Sequence, residues 1–97
     1  MIVSFRDRET ERVWRGERSR RLPPWIQATA LRKLRLLNRA LVLTDLSLPR
    51  GNRLEPLVGN RLGQFSMRIN DQWRVIFRWT SAGPADVDVC DYYRGSR

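Results

Sequence analysis

The chain has 97 residues, 41% of them hydrophobic, which suits one domain, residues 1–97, with a single modest core. Its lone cysteine, Cys90, and its lack of histidine exclude an internal disulfide and the common zinc sites, so we expect neither a metal nor a cofactor. No apolar run approaches the roughly 20 residues of a membrane span, and charges interrupt Met1–Arg15 too often for a signal peptide, so we expect a cytoplasmic protein with no membrane contact.

The N-terminal segment predicts a strand followed by a short helix. Ile2–Phe5 is an apolar start that suits a strand, and Asp7 is a candidate N-cap. Val13 and Trp14 give the polar segment after Asp7 an apolar side. Gly16 and the charged residues that follow it end the helical pattern.

A second, longer helix is predicted to start near Trp25. Pro23–Pro24 stand where proline is tolerated, just before or within the first helical turn. Apolar residues then recur at spacings of three and four, and they are Ile26, Ala30, Leu34, Leu37 and Leu41. Leu31 and Leu36 widen this stripe, which suits a helix lying across a sheet, and Thr44–Arg53 is predicted to be a loop.

The second half of the chain changes to a period of two, which is typical of strands. Phe65–Ile69 and Trp73–Trp79 alternate apolar with polar residues, and Asn70–Gln72 between them has turn chemistry. A further turn at Ser81–Pro84 leads to a last strand, Val87–Tyr93. We therefore predict an α+β fold whose sheet is mostly an antiparallel meander.

The first hairpin predicts a pair of facing arginines. Closing it through Asn70–Gln72 sets apolar residues opposite each other, namely Ile69 with Trp73, Met67 with Val75 and Phe65 with Phe77. The same register puts Arg68 opposite Arg74 on the other face, where like charges destabilise a sheet, so we expect an anion between them. A phosphate fits, because two guanidiniums would stabilise the charge of a pentacoordinate transition state; the alternative is that both side chains splay into water.

The charge balance also favours a nucleic-acid partner. Arginine and lysine number 19 against 10 acidic residues, a net charge of +9, and Lys33 is the only lysine. Guanidinium groups bind phosphate bidentately and stack on bases. Genome composition, an acidic protein or a membrane surface would explain the charge alone equally well.

Three further polar residues are candidates for proton transfer. Tyr92 and Tyr93 could stack on bases or shuttle protons, or simply pack at a strand end. Glu55 could be a general base or a solvated loop carboxylate. Cys90 is expected in the core, and Trp14, Trp25 and Trp79 in the core or at a partner.

The segment Arg53–Arg78, above all Gly63–Phe77, resembles the HigB-type killer proteins of the RelE/ParE superfamily, and so do Asp86-Val-Asp, Asp91-Tyr-Tyr and the opening Met1–Asp7. The resemblance implies a RelE-like fold with two N-terminal helices packed on a mostly antiparallel twisted sheet. It also implies a toxin that cleaves mRNA at the ribosomal A site without metal, through attack of the 2′-hydroxyl on the adjacent phosphate. The implied partners are the ribosome with its mRNA and a HigA-type helix-turn-helix antitoxin, with DNA bound only through the antitoxin complex.

Several residues match the functional residues of that family, and others depart from them. Arg68 and Arg74 match its sheet arginines, Arg61 falls in its basic loop, and Tyr92 matches its C-terminal tyrosine. The departures are Glu55, where relatives often have histidine, Tyr93, where they usually have a terminal histidine, and Val58, where they often have lysine.

The resemblance leads to a hypothesis about which residues act. The predicted catalytic residues are Arg68 and Arg74 for charge stabilisation, and Glu55, Tyr92 or Tyr93 for proton transfer. The predicted RNA-binding residues are Arg53, Arg61, Arg78 and Arg94. Two alternatives stay open: a degenerate relative that binds its antitoxin and regulates transcription without cutting RNA, and a basic nucleic-acid-binding domain unrelated to toxins.

Overall fold

The computed structural model describes residues 1–48 and 50–91, which form two helices followed by a sheet. The helices are α1 (Arg8–Trp14) and α2 (Pro24–Arg39). The strands are β1 (Glu55–Pro56), β2 (Gln64–Arg68), β3 (Trp73–Thr80) and β4 (Gly83–Asp91). They lie side by side in chain order, and each neighbouring pair is antiparallel. This confirms the α+β class and the antiparallel meander; Tyr92–Tyr93, the predicted end of the last strand, lie outside the described residues.

Helix α1 begins as predicted at the Asp7 cap. The backbone N–H of Thr10 donates to Asp7 Oδ1 at 3.0 Å, which satisfies one of the free N–H groups of the first turn. The predicted strand at Ile2–Phe5 is reduced to a single parallel bridge between Phe5 and Val87. Irregular hydrogen bonds surround that bridge, such as Val3 N–H to the Pro84 carbonyl at 2.7 Å, so the segment follows β4 without becoming a regular strand.

Helix α2 buries the predicted stripe with one exception. Ile26, Ala30, Leu34 and Leu37 are buried, whereas Leu41 is 88% exposed. The prediction for Leu41 is wrong because the helix ends at Arg39 and the chain then turns away. Asp45 holds this turn, since its carboxylate accepts the backbone N–H of Leu41 at 2.9 Å and that of Val42 at 3.2 Å.

The predicted loop contains short 3-10 turns and is tied to the fold by one buried amide. The turns are Leu43–Ser47 and Arg50–Asn52. Asn52 is fully buried, and its Nδ2 donates to the carbonyls of Leu46 and Leu48. Satisfying those carbonyls internally lets the loop pack against the protein.

The sheet has an apolar face against the helices and a polar face on the other side. The apolar face contributes Met67, Val75, Phe77, Val87 and Val89 to a core shared with Ile26, Ala30, Leu34 and Leu37. The polar face carries Gln64, Ser66, Arg68, Arg74, Ile76, Asp88 and Cys90, which alternate with those residues along β2, β3 and β4. Cys90 is therefore buried as expected but lies on the polar face, across from Arg74 and outside the helix-packed core.

The tryptophans divide between packing and exposure. Trp14 is partly buried against the core, with its ring 6.4 Å from that of Phe5, and Trp79 is partly buried as well. Trp25, at the start of α2, is 78% exposed. Within residues 1–48 and 50–91, no helix is both long and apolar enough to cross a membrane.

Candidate active site

A row of paired residues crosses the polar face. Glu55 on β1 is the register partner of Ser66, Ser66 pairs with Ile76, and Ile76 pairs with Asp88 on β4. The row therefore carries a carboxylate on its first strand, a hydroxyl on the second and a carboxylate on the fourth. Glu55 is exposed, whereas Ser66 and Ile76 are fully buried.

Arg74 lies next to this row and is only 8% exposed. Its Nη1 donates to Ser66 Oγ at 3.2 Å. Because Glu55 faces Ser66 from the neighbouring strand, the structure brings a predicted base and a predicted charge-stabilising group to the same serine. The surroundings of a buried guanidinium have a low dielectric, so its effect on a bound anion is strong.

Arg68 faces Arg74 across the ladder, as the hairpin register predicted. The two guanidiniums nevertheless have different partners, since Arg68 forms an ion pair with Asp71 in the turn and Arg74 bonds to Ser66. Arg68 thus leans toward the hairpin turn while Arg74 leans the other way along β2. Both side chains therefore have partners in the protein and do not simply splay into water, and the anion expected between them stays a prediction.

A basic cleft opens beside the polar face. Its volume is about 530 Å³, and it is lined by Arg6, Asn60, Arg61, Gln64, Arg78 and Asp86. Arg61 donates to Gln64 Oε1 at 3.3 Å, and Arg78 Nε lies 3.4 Å from Asp86 Oδ2. Two predicted RNA-binding residues, Arg61 and Arg78, therefore meet in one cleft, together with an arginine that the sequence did not indicate, Arg6.

Two unusual backbone positions shape this cleft. The β3–β4 ladder is irregular between Ile76 and Arg78, and Asp86, opposite the irregularity, has φ +51°. Aspartate tolerates this left-handed conformation better than most residues. Gly63 has φ +92°, and a Cβ there would lie 3.3 Å from Arg78 Nη1, so glycine leaves room for that guanidinium.

Asp88 is a polar-face carboxyl that the sequence did not single out. It is 8% exposed and lies 3.9 Å from Arg21 Nη2. Burial raises its pKa, the charge of Asp7 raises it further, and Arg21, Arg6 and Arg61 oppose the shift. Strand alternation could have identified it, because Val87 and Val89 lie on the apolar face and Asp88 between them must lie on the polar face.

The thiol of Cys90 is not a nucleophile at neutral pH. Burial, with a smaller effect from Asp88, raises its pKa to about 12. A protonated thiol neither attacks phosphate nor binds metal effectively. Among the residues that the structure describes, no group of three histidine, cysteine or acidic side chains could hold a metal ion.

Among the described residues, one predicted site residue, Arg53, is not brought into this arrangement. Arg53 is exposed just before β1, with φ +45°, and does not line the cleft. Tyr92, Tyr93 and Arg94 lie outside the described residues.

Residues 3–93 match the model of the HigB-like toxins, described as the RelE-like toxin HigB of type II toxin–antitoxin systems. The chain belongs to this family. The chain is also similar to Toxin HigB-1 of Vibrio cholerae serotype O1. The two are 40% identical over 80 residues, which cover 81% of this chain and 84% of that protein. Membership in a toxin–antitoxin family implies that this HigB-like toxin has an antitoxin partner.

Proposed function

We propose that this toxin is a ribosome-dependent endoribonuclease that cleaves mRNA in the ribosomal A site without a metal and thereby inhibits translation and growth. Toxins of the HigB and RelE type are generally endoribonucleases. The observation that carries the proposal is the buried Arg74 at Ser66, with Glu55 across the ladder and the basic cleft alongside. This arrangement supports a site that binds a phosphate in the polar face and the rest of the RNA in the cleft.

The reaction needs charge stabilisation and proton transfer from the protein. The substrate 2′-hydroxyl loses its proton and attacks the adjacent phosphorus, the bond from phosphorus to the 5′-oxygen breaks, and that oxygen gains a proton. A 2′,3′-cyclic phosphate and a 5′-hydroxyl result. Arg74, held by Ser66, is oriented before the substrate arrives, and such preorganised donors contribute most when negative charge develops in a water-poor site.

Proton transfer is assigned to the carboxyls of the polar face and to the terminal tyrosines. Glu55, Tyr92 and Tyr93 are the residues expected from the sequence. Asp88 joins them because burial raises its pKa, and a carboxylate with a raised pKa is a stronger base than an exposed one. The ribosome orients the mRNA, so a weak base in a favourable position is sufficient.

RNA binding is assigned to the arginines around this centre. Arg6, Arg61 and Arg78 line the cleft and suit backbone phosphates, because each guanidinium donates in two directions. Arg68 suits a phosphate next to the one at Arg74, since the two residues face each other but lean apart. Arg53 and Arg94 are proposed to contact RNA farther along.

The proposed partners follow from the same function. They are the ribosome with its mRNA and a HigA-type helix-turn-helix antitoxin, and DNA is contacted only through the antitoxin complex. We place the toxin in the cytoplasm, where translation occurs, and assign it no cofactor.

The test is to induce the toxin and map mRNA 5′ ends on translated and untranslated copies of one transcript. We expect codon-phased cuts on the translated copy alone, suppressed when the antitoxin is produced with it. Arg74→Met should abolish the cuts while the variant stays folded, because methionine keeps much of the buried volume without the charge. Cuts on untranslated RNA, or full toxicity of Arg74→Met, would contradict the proposal.

A second candidate is a catalytically weak relative that acts through its antitoxin complex in transcriptional regulation. Val58 favours it, because this residue is 80% exposed and apolar where relatives often carry a lysine. Growth arrest without cuts, or no arrest at all, would support this candidate.

A further inference from the structure

A second cationic pocket lies between α2 and the hairpin turn of β2 and β3. Its volume is about 410 Å³, and Arg32, Lys33 and Arg68 line it together with Thr29, Gly51 and two aliphatic side chains. It shares no lining residue with the basic cleft of Arg6, Arg61 and Arg78. The pocket is therefore a separate site with three positive charges.

Each of the three cations is held by a different neighbour. Arg32 donates to Thr29 Oγ1 at 3.2 Å, Lys33 donates to the buried amide oxygen of Asn52, and Arg68 pairs with Asp71. An ammonium has three donors and a guanidinium five, so these single contacts leave donors for a ligand. The side chains are thus positioned around the cavity in advance.

This arrangement has an electrostatic cost. Helix α2 contains no acidic residue, and within residues 1–48 and 50–91 none of Arg32, Lys33, Arg35 or Arg39 forms an ion pair with a carboxylate. Burial lowers the pKa of Lys33, and the charges of Arg32 and Arg68 lower it further. A bound anion would reverse this repulsion.

We propose that the pocket of Arg32, Lys33 and Arg68 binds an RNA backbone phosphate next to the one held at Arg74. This inference rests on the proposed function and extends the RNA path beyond the polar face. Arg68 lies two residues from Ser66 on the same strand face and opposite Arg74, so a strand bound at Arg74 reaches Arg68 by following β2. Because α2 supplies the other two cations, the phosphate would be gripped from the sheet and the helix together.

The phosphate has two sources in a translating ribosome, the mRNA and the ribosomal RNA. Both present the same phosphodiester to the pocket. A carboxylate of the antitoxin would have the same sign of charge, but it would not continue a chain of phosphates from Arg74. The experiment separates these three ligands.

The single lysine gives a direct readout. In a protein expressed from Met1 to Arg97, an amine-acylating reagent has two amine targets, Lys33 and the α-amine of Met1, and Met1 is 81% exposed and serves as an internal reference. Acetic anhydride pulses followed by peptide mass spectrometry give the rate at each amine. The probes are a short RNA carrying 2′-O-methyl groups, which cannot be cleaved by its own 2′-oxygen, then empty ribosomes, and then the antitoxin.

Gly51 provides a matched pair of variants. It lines the pocket, a Cβ there would meet nothing within 4 Å, and its φ is not positive. Gly51→Glu should therefore fold and place a competing carboxylate at the three cations. Gly51→Gln has nearly the same shape without the charge and is the control.

We expect the short RNA to slow acylation of Lys33 at least fivefold, with less than a twofold change at the α-amine. Protection by empty ribosomes alone would place ribosomal RNA in the pocket and would overturn the continuous path from Arg74. Gly51→Gln should retain the protection and Gly51→Glu should lose it. Equal protection of both amines, or protection by the antitoxin alone, would overturn the inference.

Kinetics on programmed ribosomes separate this inference from the proposed function. Lys33→Gln should raise KM several-fold and change kcat little, because the pocket lies away from the reacting phosphate. If the wild-type toxin cuts mRNA but Lys33→Gln has the same KM and Lys33 is not protected, the pocket is not a phosphate site and the proposed function stands. If the wild-type toxin does not cut at all, the proposed function fails regardless of Lys33.

Discussion

The hydroxyl of Thr10 on α1 accepts the backbone N–H of Val89 on β4 at 2.9 Å, and both residues are fully buried. Thr10→Val keeps the shape of the side chain but leaves that N–H without its acceptor. We expect the variant to lose about 1–3 kcal/mol of unfolding free energy, the cost of an unsatisfied buried donor. Urea denaturation measures this, and Thr10→Ser, which keeps the hydroxyl, should lose less; equal stability of the valine variant and the wild type would refute the role of the bond.

Gly83→Ala should detach the N-terminal segment from β4. Gly83 has φ +128°, and a Cβ there would lie 2.2 Å from the carbonyl oxygen of Met1. We expect a loss of roughly 1–3 kcal/mol and faster hydrogen exchange at the backbone N–H of Val3. Gly51→Ala is the control, because its Cβ position is open and it should stay within about 0.5 kcal/mol of the wild type. Unchanged exchange at Val3 in Gly83→Ala would show that the segment adapts.

Cys90 should make the toxin less stable as the solution becomes alkaline. Its pKa is raised from 9.0 to about 12, so between these values the folded state keeps a proton that the unfolded state has lost. The free energy of unfolding therefore falls as pH rises through this range, by at most about 1.4 kcal/mol per pH unit. Urea denaturation from pH 8 upward gives the free energy of unfolding of the wild type and of Cys90→Ala. The wild-type value minus the variant value should fall as pH rises. A difference that stays constant would contradict the assignment.

Asp86→Asn should strengthen RNA binding in the cleft. Asp86 is the only acidic residue among those lining the cleft, and its carboxylate lies 3.4 Å from Arg78 Nε. Asparagine also tolerates the left-handed backbone, so the fold should be kept. Releasing Arg78 for one more phosphate should steepen the slope of log affinity against log salt by about 0.7 for single-stranded RNA.

The control for Asp86→Asn is Glu17→Gln, which removes the same charge from an exposed residue paired with Arg12. Its slope should stay as in the wild type. If both variants change the slope equally, net charge and not the cleft determines the effect.

The hairpin of β2 and β3 shows what the sequence could determine. Closing it through Asn70–Gln72 sets the apolar residues of the core face opposite each other, and this predicts that Phe65 faces Phe77 and Arg68 faces Arg74. Helix α2 was equally predictable, because proline marks its start and the apolar spacing marks its buried face. Strand β1 was not, since two residues, one of them proline, are too short to show a period.

The site was only partly predictable, because its residues come from distant parts of the chain. Arg6 joins Arg61 and Arg78 only after the N-terminal segment has paired with β4. The partners of Arg68 and Arg74 depend on side-chain rotamers, which a strand register does not fix. Asp88 is different, because strand alternation alone would have placed its carboxyl on the polar face.

The pairing of the first residues with the last described strand also constrains how the toxin is made. The backbone N–H of Asp86 donates to Ser4 Oγ across 82 positions, so this edge of the sheet can close only after β4 has been synthesised. A shorter nascent chain lacks β4, and with it the carboxyl of Asp88 and the neighbour of Arg74 on the last strand. A nascent chain therefore cannot close this edge of the sheet or complete the polar face before β4 has been made.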